Sequence, residues 1–383
     1  MKTNRIARGY LLNAVVIVLL FTAFQILTSI KGSEGPFKLV LVPSLWQCCY
    51  LMVLAASLNL VLGFMGQLSL GHCGFMAVGA YTAALLSLAC ERAEIFQSKS
   101  DPVFLLVMIA SVIAAGLLAA LLSLLVGIPA LRLKGDYLAI ITLGFGMIIV
   151  NIINNLPFCG QDGLALGSAA ASLYKNGLGF GSKAKVQFLW FALLVTILSL
   201  TLMFMFVRSK YGRAIMAIRD DEIAASASGV NVPRFKVLTF AYSAFFAGVA
   251  GALYACTNAT LSTSSFAFTN GGILNSTFVV VMVVLGGMGS LTGSAVAAAI
   301  MFFVNYQIKN GAWVELLPAS VKGVFEYPML VYALILIIVI LFRPKGIFGR
   351  YEFSLQGLIP DLQRAAAARK AAKLERKEGE ANG

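Results

Sequence analysis

The sequence has few charged residues and few of the side chains on which catalytic and metal sites depend. Charged residues make up 12% of the 383 residues, against about 25% in soluble domains. There is one histidine, His72, and the six cysteines lie mostly inside apolar runs without the spacing of metal ligands. This composition excludes an ordinary water-soluble fold. We expect no metal site, and we expect the cysteines to behave as small buried hydrophobic residues.

Sequence motifs for energy-coupled chemistry are also missing. The chain contains no Gly-Lys dipeptide, which a phosphate-binding loop of the Walker type requires. It also lacks the G-x-S-x-G pattern of serine hydrolases. No acidic residue falls inside the predicted membrane spans, where proton- or sodium-coupled carriers usually have one. We therefore expect that the chain is not an enzyme, needs no cofactor, and depends on another subunit for any nucleotide hydrolysis.

Long apolar runs are abundant instead, since hydrophobic residues make up 60% of the chain. Runs of about 20 apolar residues predict helices that cross a bilayer. The first run is longer than the core of a signal peptide, so we interpret it as a retained helix. The sequence predicts an all-α polytopic membrane protein with about ten crossing helices, eight of them full spans and two a glycine-broken short pair. They lie near residues 10–30, 43–63, 68–90, 103–127, 137–156, 187–207, 236–256, 276–288, 292–306 and 327–342.

The basic residues are distributed unevenly between the two sides that these spans define. Twenty of the 29 Lys and Arg residues fall on the side of the N-terminus, and such an excess marks the cytoplasmic face. The cluster Arg208, Lys210, Arg213 and Arg219 in one connection is the strongest indication. We expect both termini in the cytoplasm, with residues 1–350 as the membrane domain and 351–383 as a charged cytoplasmic tail. The net charge of +13 then reflects orientation against anionic lipid and not nucleic-acid binding.

Both loops that flank residues 278–304, FVVVMVVLGGMGSLTGSAVAAAIMFFV, are assigned to the outside, so this stretch requires either an even number of crossings or a re-entrant pair. Two half-length helices that meet at a glycine break satisfy this requirement. The pattern L-G-x-M-G-x-L in this break, residues 285–291, repeats residues 62–68. Such an echo is typical of duplicated transporter halves, and shared local packing is the alternative. The glycines of this break are Gly286, Gly287 and Gly289.

The first copy of the pattern belongs to GFMGQLSLGHCGFM, residues 63–76, which interrupts an apolar region. Small residues let helices approach closely in lipid, so Gly63, Gly66, Gly71 and Gly74 predict a tight hairpin between the second and third spans. Polar side chains at this depth need partners or water. They either satisfy one another in the packing or line a translocation path. The candidates are Asn59, Gln67, Ser69 and His72.

A second set of candidate path residues is a stripe of asparagines in the fifth span. Asn151, Asn154 and Asn155 are spaced i, i+3 and i+4, so they share one helix face. An unpaired amide that faces lipid costs free energy, so we expect this face to meet another helix or a cavity. Both a path wall and plain contacts between helices remain open.

The long basic connection at residues 208–235 contains a candidate short helix. Asp220, Asp221 and Glu222 open it, since acids favour a helix N-terminus, and Gly229 ends it. A helix of about eight residues is marginal alone. Its small residues Ala224, Ala225 and Ala227 predict docking into a groove on a partner, and an ordinary cytoplasmic connection is the alternative.

Several blocks of the chain, in order over roughly residues 45–350, resemble one family. They include SLNLVLGFMGQLSLGHCGFMAVGAYTAALL, LRLKGDYLAIITLGFG, GRAIMAIRDDEIAASASGVNVPRFKVLTFAYSAFFAGVAGALYA, VVLGGMGSLTGSAVAAAI and FRPKGIFG. The chain is similar to the permease subunits of branched-chain amino-acid ABC transporters, on the longer-chain side of the permease pair.

The resemblance implies a multi-pass protein of the bacterial cytoplasmic membrane in an ATP-driven importer of leucine, isoleucine and valine. It implies four kinds of partner: a second homologous permease, two cytoplasmic ATPases, an extracytoplasmic solute-binding protein and the lipid membrane. Urea and amide permeases share the same blocks, and a passive channel is a further alternative. By the resemblance, the segment that couples the permease to the ATPases contains Asp220, Asp221, Glu222, Ala224, Ala225 and Gly229.

Overall fold

A computed structural model describes nearly all of the apolar part of the chain. The described residues are 36–92, 101–131, 136–156, 164–165, 182–257, 260–266, 276–310, 328–343, 346–347 and 349. One compact unit comprises Leu39–Arg350, and a second comprises Met1–Lys38 with Tyr351–Gly383, of which only 36–38 are described. The predicted span at 10–30 and the predicted tail at 351–383 therefore lie outside the described residues.

The fold is helical, as the apolar runs predict. The long helices are α1 (Pro36–Asn59), α2 (His72–Arg92), α3 (Asp101–Ala130), α4 (Asp136–Asn154), α5 (Ser182–Arg208) and α8 (Val232–Thr257). Between α5 and α8 lie α6 (Lys210–Asp220) and α7 (Glu222–Ala227). The remaining helices are α9 (Ser276–Gly286), α10 (Leu291–Asn310) and α11 (Pro328–Phe342).

Four short elements complete the described structure. A π-helical turn, Leu60–Phe64, continues α1, and a 3-10 turn covers Thr263–Phe266. Strands β1 (Leu164–Ala165) and β2 (Thr260–Leu261) pair antiparallel, with Leu164 opposite Leu261.

An all-helical membrane fold is confirmed at the level of length and apolar character. Among the described residues, six helices are long and apolar enough to cross a membrane: Leu45–Phe64, His72–Cys90, Leu105–Ala130, Tyr137–Asn154, Trp190–Arg208 and Val232–Cys256. Helices are the natural solution there because each one satisfies its own backbone hydrogen bonds in lipid. The total of ten crossings and the cytoplasmic position of both termini stay predictions.

The core of the bundle forms where α8 packs against α2 and α3. Glycines bring these backbones together: a β-carbon on Gly79 of α2 would collide with the Gly248 carbonyl of α8, and one on Gly251 of α8 would collide with the Met76 carbonyl of α2. This is the small-residue packing of membrane helices, in which van der Waals contact replaces the hydrophobic drive.

The outward faces of α3, α4 and α5 are apolar, as lipid contact requires. On α3, the exposed side chains recur on one face and include Leu106, Leu117, Leu121 and Leu125. A soluble monomer rarely exposes so continuous an apolar surface. The exposed faces of these helices therefore support a membrane environment independently of the hydropathy of the sequence.

The glycine break near residue 287 is present, but its two helices are unequal. Helix α9 has 11 residues and α10 has 20, but the apolar part of α10, Leu291–Asn305, is also shorter than a full span. The two short apolar helices that we expect around the break are therefore present, and α10 is longer in total because residues 306–310, YQIKN, continue it as helix.

Candidate functional site

The two glycine-rich breaks that share the L-G-x-M-G-x-L pattern lie against each other. Asn59, the last residue of α1, donates from Nδ2 to the Ser290 carbonyl at 2.8 Å and to the Ser294 hydroxyl at 2.7 Å. Its Oδ1 accepts from the Gly289 backbone N–H at 3.0 Å. Because Asn59 is fully buried, one side chain satisfies polar groups of the second break that water cannot reach.

Backbone conformation in the two breaks also corresponds. Gly66 has φ +74° and Gly289, which occupies the equivalent position of the repeated pattern, has φ +96°. This left-handed region favours glycine. A β-carbon on Gly63 would collide with the Gly289 backbone nitrogen, so the contact between the breaks requires glycine at residue 63. The sequence echo therefore corresponds to a structural contact.

The side chain of Arg219 reaches the same place from the connection between α5 and α8. Its Nη1 donates to the Gly63 carbonyl at 3.0 Å, and its Nε and Nη2 donate to Asp220 Oδ1. From the sequence, Arg219 is only one member of the basic cluster that indicates the cytoplasmic side of the membrane. The residue carries no local pattern that shows its contact with Gly63, 156 positions earlier in the chain.

The candidate residues of the first break have different surroundings. His72 lies in the interior with its Nε2 2.7 Å from the Ser57 hydroxyl. The Ser57 hydroxyl also lies 2.8 Å from the Leu54 carbonyl, so this serine connects His72 to the backbone of α1. In contrast, Gln67 Oε1 and Ser69 Oγ are buried and make no hydrogen bond within the part of the chain that the structure describes.

The glycines of the first break do not bring α1 and α2 together as the expected hairpin would. They lie against other parts of the protein. A β-carbon on Gly71 would collide with the Thr142 carbonyl of α4, and one on Gly74 would lie 2.8 Å from Gly146 Cα of α4. Gly63 and Gly66 face the second break and Arg219 instead. The prediction that these four glycines pack α1 tightly against α2 is therefore wrong, because glycine composition predicts close approach without identifying the neighbour.

The asparagine stripe of α4 is separate from the breaks. Thr142, near the start of α4, accepts a hydrogen bond from the Leu70 backbone N–H, whereas Asn154 lies twelve residues further along, about 18 Å at 1.5 Å per residue. Asn154 Oδ1 accepts from the Thr263 hydroxyl at 2.8 Å. Asn151 and Asn155 are exposed, and Asn155 Nδ2 donates to the Asn151 carbonyl. The candidate path residues therefore form two groups at opposite ends of α4.

The connection at residues 208–235 contains two helices, of which the sequence analysis predicted only the second. Helix α6 begins after Ser209, whose hydroxyl accepts from the backbone N–H groups of Tyr211 and Gly212. It ends at Asp220, so this residue does not open the short helix as we expect. The signal for α6 was present, since a serine N-cap precedes Ile215 and Ile218, which are three residues apart and both buried.

Helix α7 is the predicted short helix. Asp221 is its N-cap and accepts from the backbone N–H groups of Ile223 and Ala224 at 2.9 and 3.0 Å. Helix α7 ends at Ala227, and Gly229 has φ +84°, as a glycine just beyond a helix end commonly does. Lys236 of α8, which is buried, donates to Glu222 Oε2 at 2.9 Å. This ion pair ties α7 to α8.

The alanines that we expect on a docking face lie on both faces of α7, since Ala224 and Ala227 are exposed and Ala225 is buried. Ala225 is buried with Ile218 and Val232 in a small cluster of this chain, so it packs inward and does not face a partner. Ile223 is 82% exposed, the largest exposed fraction among the bulky apolar side chains of the described residues. The sequence did not lead us to expect this exposed side chain, because we assigned docking to the alanines beside Ile223.

The described residues contain no group of three or more His, Cys, Asp or Glu side chains that could hold a metal ion. A groove of about 600 Å³ lies beside α7, between the end of α3 and the start of α8. Its lining is mostly apolar, with Glu222, Arg234 and Lys236 as its charged members.

Comparison with known proteins agrees with this architecture. Residues 40–340 match the family model described as branched-chain amino acid transport system / permease component. The chain is similar to the high-affinity branched-chain amino acid transport system permease protein LivM of Escherichia coli, with 35% identity over 316 residues, 77% of this chain and 67% of the relative.

Two further relatives are more distant. The chain is 23% identical over 334 residues to the probable LivM permease protein of Methanocaldococcus jannaschii, covering 79% of this chain and 91% of the relative. It is 25% identical over 312 residues to the permease protein LivH of Escherichia coli, covering 78% and 91%. No solved structure matches the chain significantly. With most of its length matched by the family model, the chain belongs to the family of branched-chain amino acid transport permease components.

Proposed function

We propose that this chain is a membrane permease subunit of an ATP-driven importer for branched-chain amino acids. An extracytoplasmic binding protein delivers leucine, isoleucine or valine, and the permease carries it across the bacterial cytoplasmic membrane. The similarity to LivM and LivH supports the substrate class. The match to both of these permease proteins supports a second, homologous permease subunit as partner.

The observation that carries this proposal is the construction of α7. It is a short helix with a nearly fully exposed isoleucine, Ile223, and it is held by the Asp221 cap and the Lys236–Glu222 ion pair. A helix of six residues does not persist alone, so these contacts serve to present Ile223 outward. We assign α7 as the coupling helix that docks on the cytoplasmic ATPases.

The same assignment fixes the orientation that we propose. If α7 meets the ATPases, then the basic connection containing Arg208, Lys210 and Arg213 lies in the cytoplasm, as the distribution of positive charge favours. The glycine breaks, which contact Arg219, then lie at the cytoplasmic end of the bundle. Asn154 and the two-stranded β1–β2 pair lie toward the opposite end, which faces the binding protein.

We further propose that the translocation path follows α4. The stripe of Asn151, Asn154 and Asn155 stands at its outer end. Gln67 Oε1 and Ser69 Oγ, which have no hydrogen-bond partner among the described residues, stand at its inner end. Buried polar atoms without a partner cost free energy, so their persistence fits groups that meet water or a passing solute. Closure of the ATPases on ATP would move α7, and the breaks would then open the inner end.

The test is purification of the chain from its native membrane with its bound subunits, followed by reconstitution in lipid vesicles. We expect two ATPases and a second permease to co-purify, and leucine-loaded binding protein to stimulate ATP hydrolysis and leucine uptake. Stimulation by urea or a short amide in place of leucine would support an ATP-driven importer with a different substrate. Leucine uptake by the isolated chain without ATPases would establish a passive channel and overturn the proposal.

A further inference from the structure

We infer that Arg219 is a positioning residue for transport, which links the coupling helix α7 to the paired glycine breaks. The inference rests on the proposed function and assigns a route for the motion within this chain. Arg219 is the penultimate residue of α6, and Asp221, two residues later, caps α7. Displacement of α7 therefore acts on the backbone that holds Arg219.

The Gly63 carbonyl is a strong acceptor for this guanidinium. It lies at the C-terminal end of the helix formed by α1 and its π-helical turn, where the last carbonyls have no partner within the helix and the helix dipole favours a cation. The Arg219 side chain is only 17% exposed. This bond therefore persists in a setting where water competes weakly.

The aliphatic part of Arg219 lies on the first break. A β-carbon on Gly66 would come within 2.6 Å of Arg219 Cγ, and Gly66 also has the left-handed backbone that favours glycine. The Arg219 side chain occupies the space beside residue 66, and a β-carbon there would require this side chain to shift. An arginine that served only to mark the cytoplasmic face would need no such space.

The second break is within reach of the same side chain. A β-carbon on Gly289 would lie 3.6 Å from Arg219 Nη1 and 3.8 Å from the Gly63 carbonyl. Asn59 already joins the two breaks through its contacts with Gly289 and Ser290. Arg219 is thus the residue of the α6–α7 connection that reaches the place where both breaks meet, and movement of α7 is transmitted to both.

The α6–α7 connection is also stiff enough to transmit a displacement. Ile218 and Ala225, one on each helix, are buried together with Val232 of α8. The ring of Tyr211 on α6 packs 5.9 Å from that of Phe235 on α8, and Phe206 of α5 stacks on Tyr242 of α8 at 4.2 Å. These contacts hold α6 and α7 to each other and to the start of α8, so a displacement of α7 is carried to α6 and to Arg219.

The experiment compares Arg219→Met and Arg219→Lys in the assembled complex. The matched control is Arg213→Met, because Arg213 is an exposed arginine of α6 whose Nη1 donates only to the nearby Arg208 carbonyl. Leucine uptake and ATP hydrolysis are measured in the same vesicles. Hydrogen exchange of the peptides that cover the first break and α7 is measured with and without a non-hydrolysable ATP analogue.

With Arg219→Met, we expect the complex to assemble and hydrolyse ATP while leucine transported per ATP falls about tenfold. Arg219→Lys, which keeps one donor for Gly63, should recover part of this ratio, and Arg213→Met should match the wild type. In the wild type, the ATP analogue should change hydrogen exchange at both α7 and the first break. In Arg219→Met, the change at α7 should remain and the change at the break should disappear.

The exchange readout separates this inference from the proposed substrate. Suppose that leucine stimulates neither ATP hydrolysis nor uptake, while hydrogen exchange at the first break still responds to the ATP analogue only when Arg219 is present. In that case the proposed substrate is wrong, and the link from α7 to the breaks through Arg219 is supported. If the break of Arg219→Met responds to the analogue as the wild type does, or if leucine transported per ATP is unchanged, the link is overturned. A folding defect would lower assembly, ATP hydrolysis and leucine uptake together. It would not by itself lower the amount of leucine transported per ATP.

Discussion

Asn59 and Ser294 are joined by a 2.7 Å hydrogen bond although they lie 235 positions apart in the chain. The amide of Asn59 uses both of its ends on the second break, because it donates to Ser290 and Ser294 and accepts from Gly289. The two breaks are therefore held together by a polar contact that can form and dissolve, and not by apolar packing alone. Such a contact suits the opening of the breaks that we propose for transport.

Asn59→Ala should destabilise the chain more than a comparable change at an exposed asparagine. It leaves the buried Gly289 N–H without the Asn59 acceptor, which costs about 1–3 kcal/mol. Thermal unfolding of the purified protein in detergent measures the effect. Asn155→Ala is the control, because Asn155 is exposed and its amide donates only to the Asn151 carbonyl of the same helix. Equal unfolding temperatures for the two variants would contradict a stabilising role of Asn59 in joining the two breaks.

Gly79→Ala should be destabilising, and Gly144→Ala should not. The added methyl group at residue 79 would collide with the Gly248 carbonyl and force α2 away from α8, and overpacking of this kind costs about 1–3 kcal/mol. At Gly144 of α4, nothing lies within 4 Å of the added carbon. Thermal unfolding of the two variants side by side decides the matter. A loss at residue 144 equal to that at residue 79 would show that helix approach is not the cause.

Removal of Glu222 should loosen α7 more than removal of Lys236. Lys236 is the buried partner, with 6% of its side chain exposed against 39% for Glu222, so Glu222→Ala leaves a buried cation unpaired whereas Lys236→Met leaves a carboxylate that water can reach. The rate of tryptic cleavage within residues 208–235 reports the loosening. We expect faster cleavage in Glu222→Ala, by a factor that corresponds to about 1–3 kcal/mol of local stability.

The test of this ion pair has its own internal check. Lys236→Met also removes one tryptic site, so cleavage is scored at Arg219 and Arg234, which both variants retain. If Lys236→Met is cleaved at these sites as fast as Glu222→Ala, the difference in burial between the two partners does not determine how much α7 loosens.

Ile223→Ser and Ala225→Leu should separate docking from folding, although the two residues are two positions apart. Ile223 touches solvent, so its replacement should leave the unfolding temperature unchanged and lower the amount of ATPase that co-purifies. Ala225 is packed against Ile218 and Val232, so a leucine there should destabilise α6 and α7 by about 1–3 kcal/mol. Full recovery of ATPases with Ile223→Ser would remove α7 from the docking surface.

The sequence predicts the helices of the membrane bundle well because an apolar run in lipid has few alternatives to a helix. It also predicts α7, since Asp221 and Gly229 are strong local signals for the two ends of a helix. The contacts between helices are harder to predict. Gly71 and Gly74 indicate close approach, yet nothing in their spacing identifies Thr142 and Gly146 as the neighbours, because a glycine has no side chain with which to select one.

The candidate site was only partly predictable for the same reason. Asn59 stood out as a polar residue in an apolar run, and the repeated L-G-x-M-G-x-L pattern marked both breaks. Their contact with each other depends on the arrangement of helices far apart in the chain. Arg219 was hidden among basic residues that the topology of any membrane protein would explain.

The anchoring of α7 has a thermodynamic consequence for assembly. A segment that orders only on meeting its partner loses conformational entropy at that moment, which weakens binding for a given area of contact. Here the cap at Asp221, the ion pair with Lys236 and the burial of Ala225 order α7 within the isolated chain. Association through Ile223 should therefore carry the heat-capacity change of apolar burial without the signature of coupled folding, and little of its binding free energy should be lost to ordering the helix.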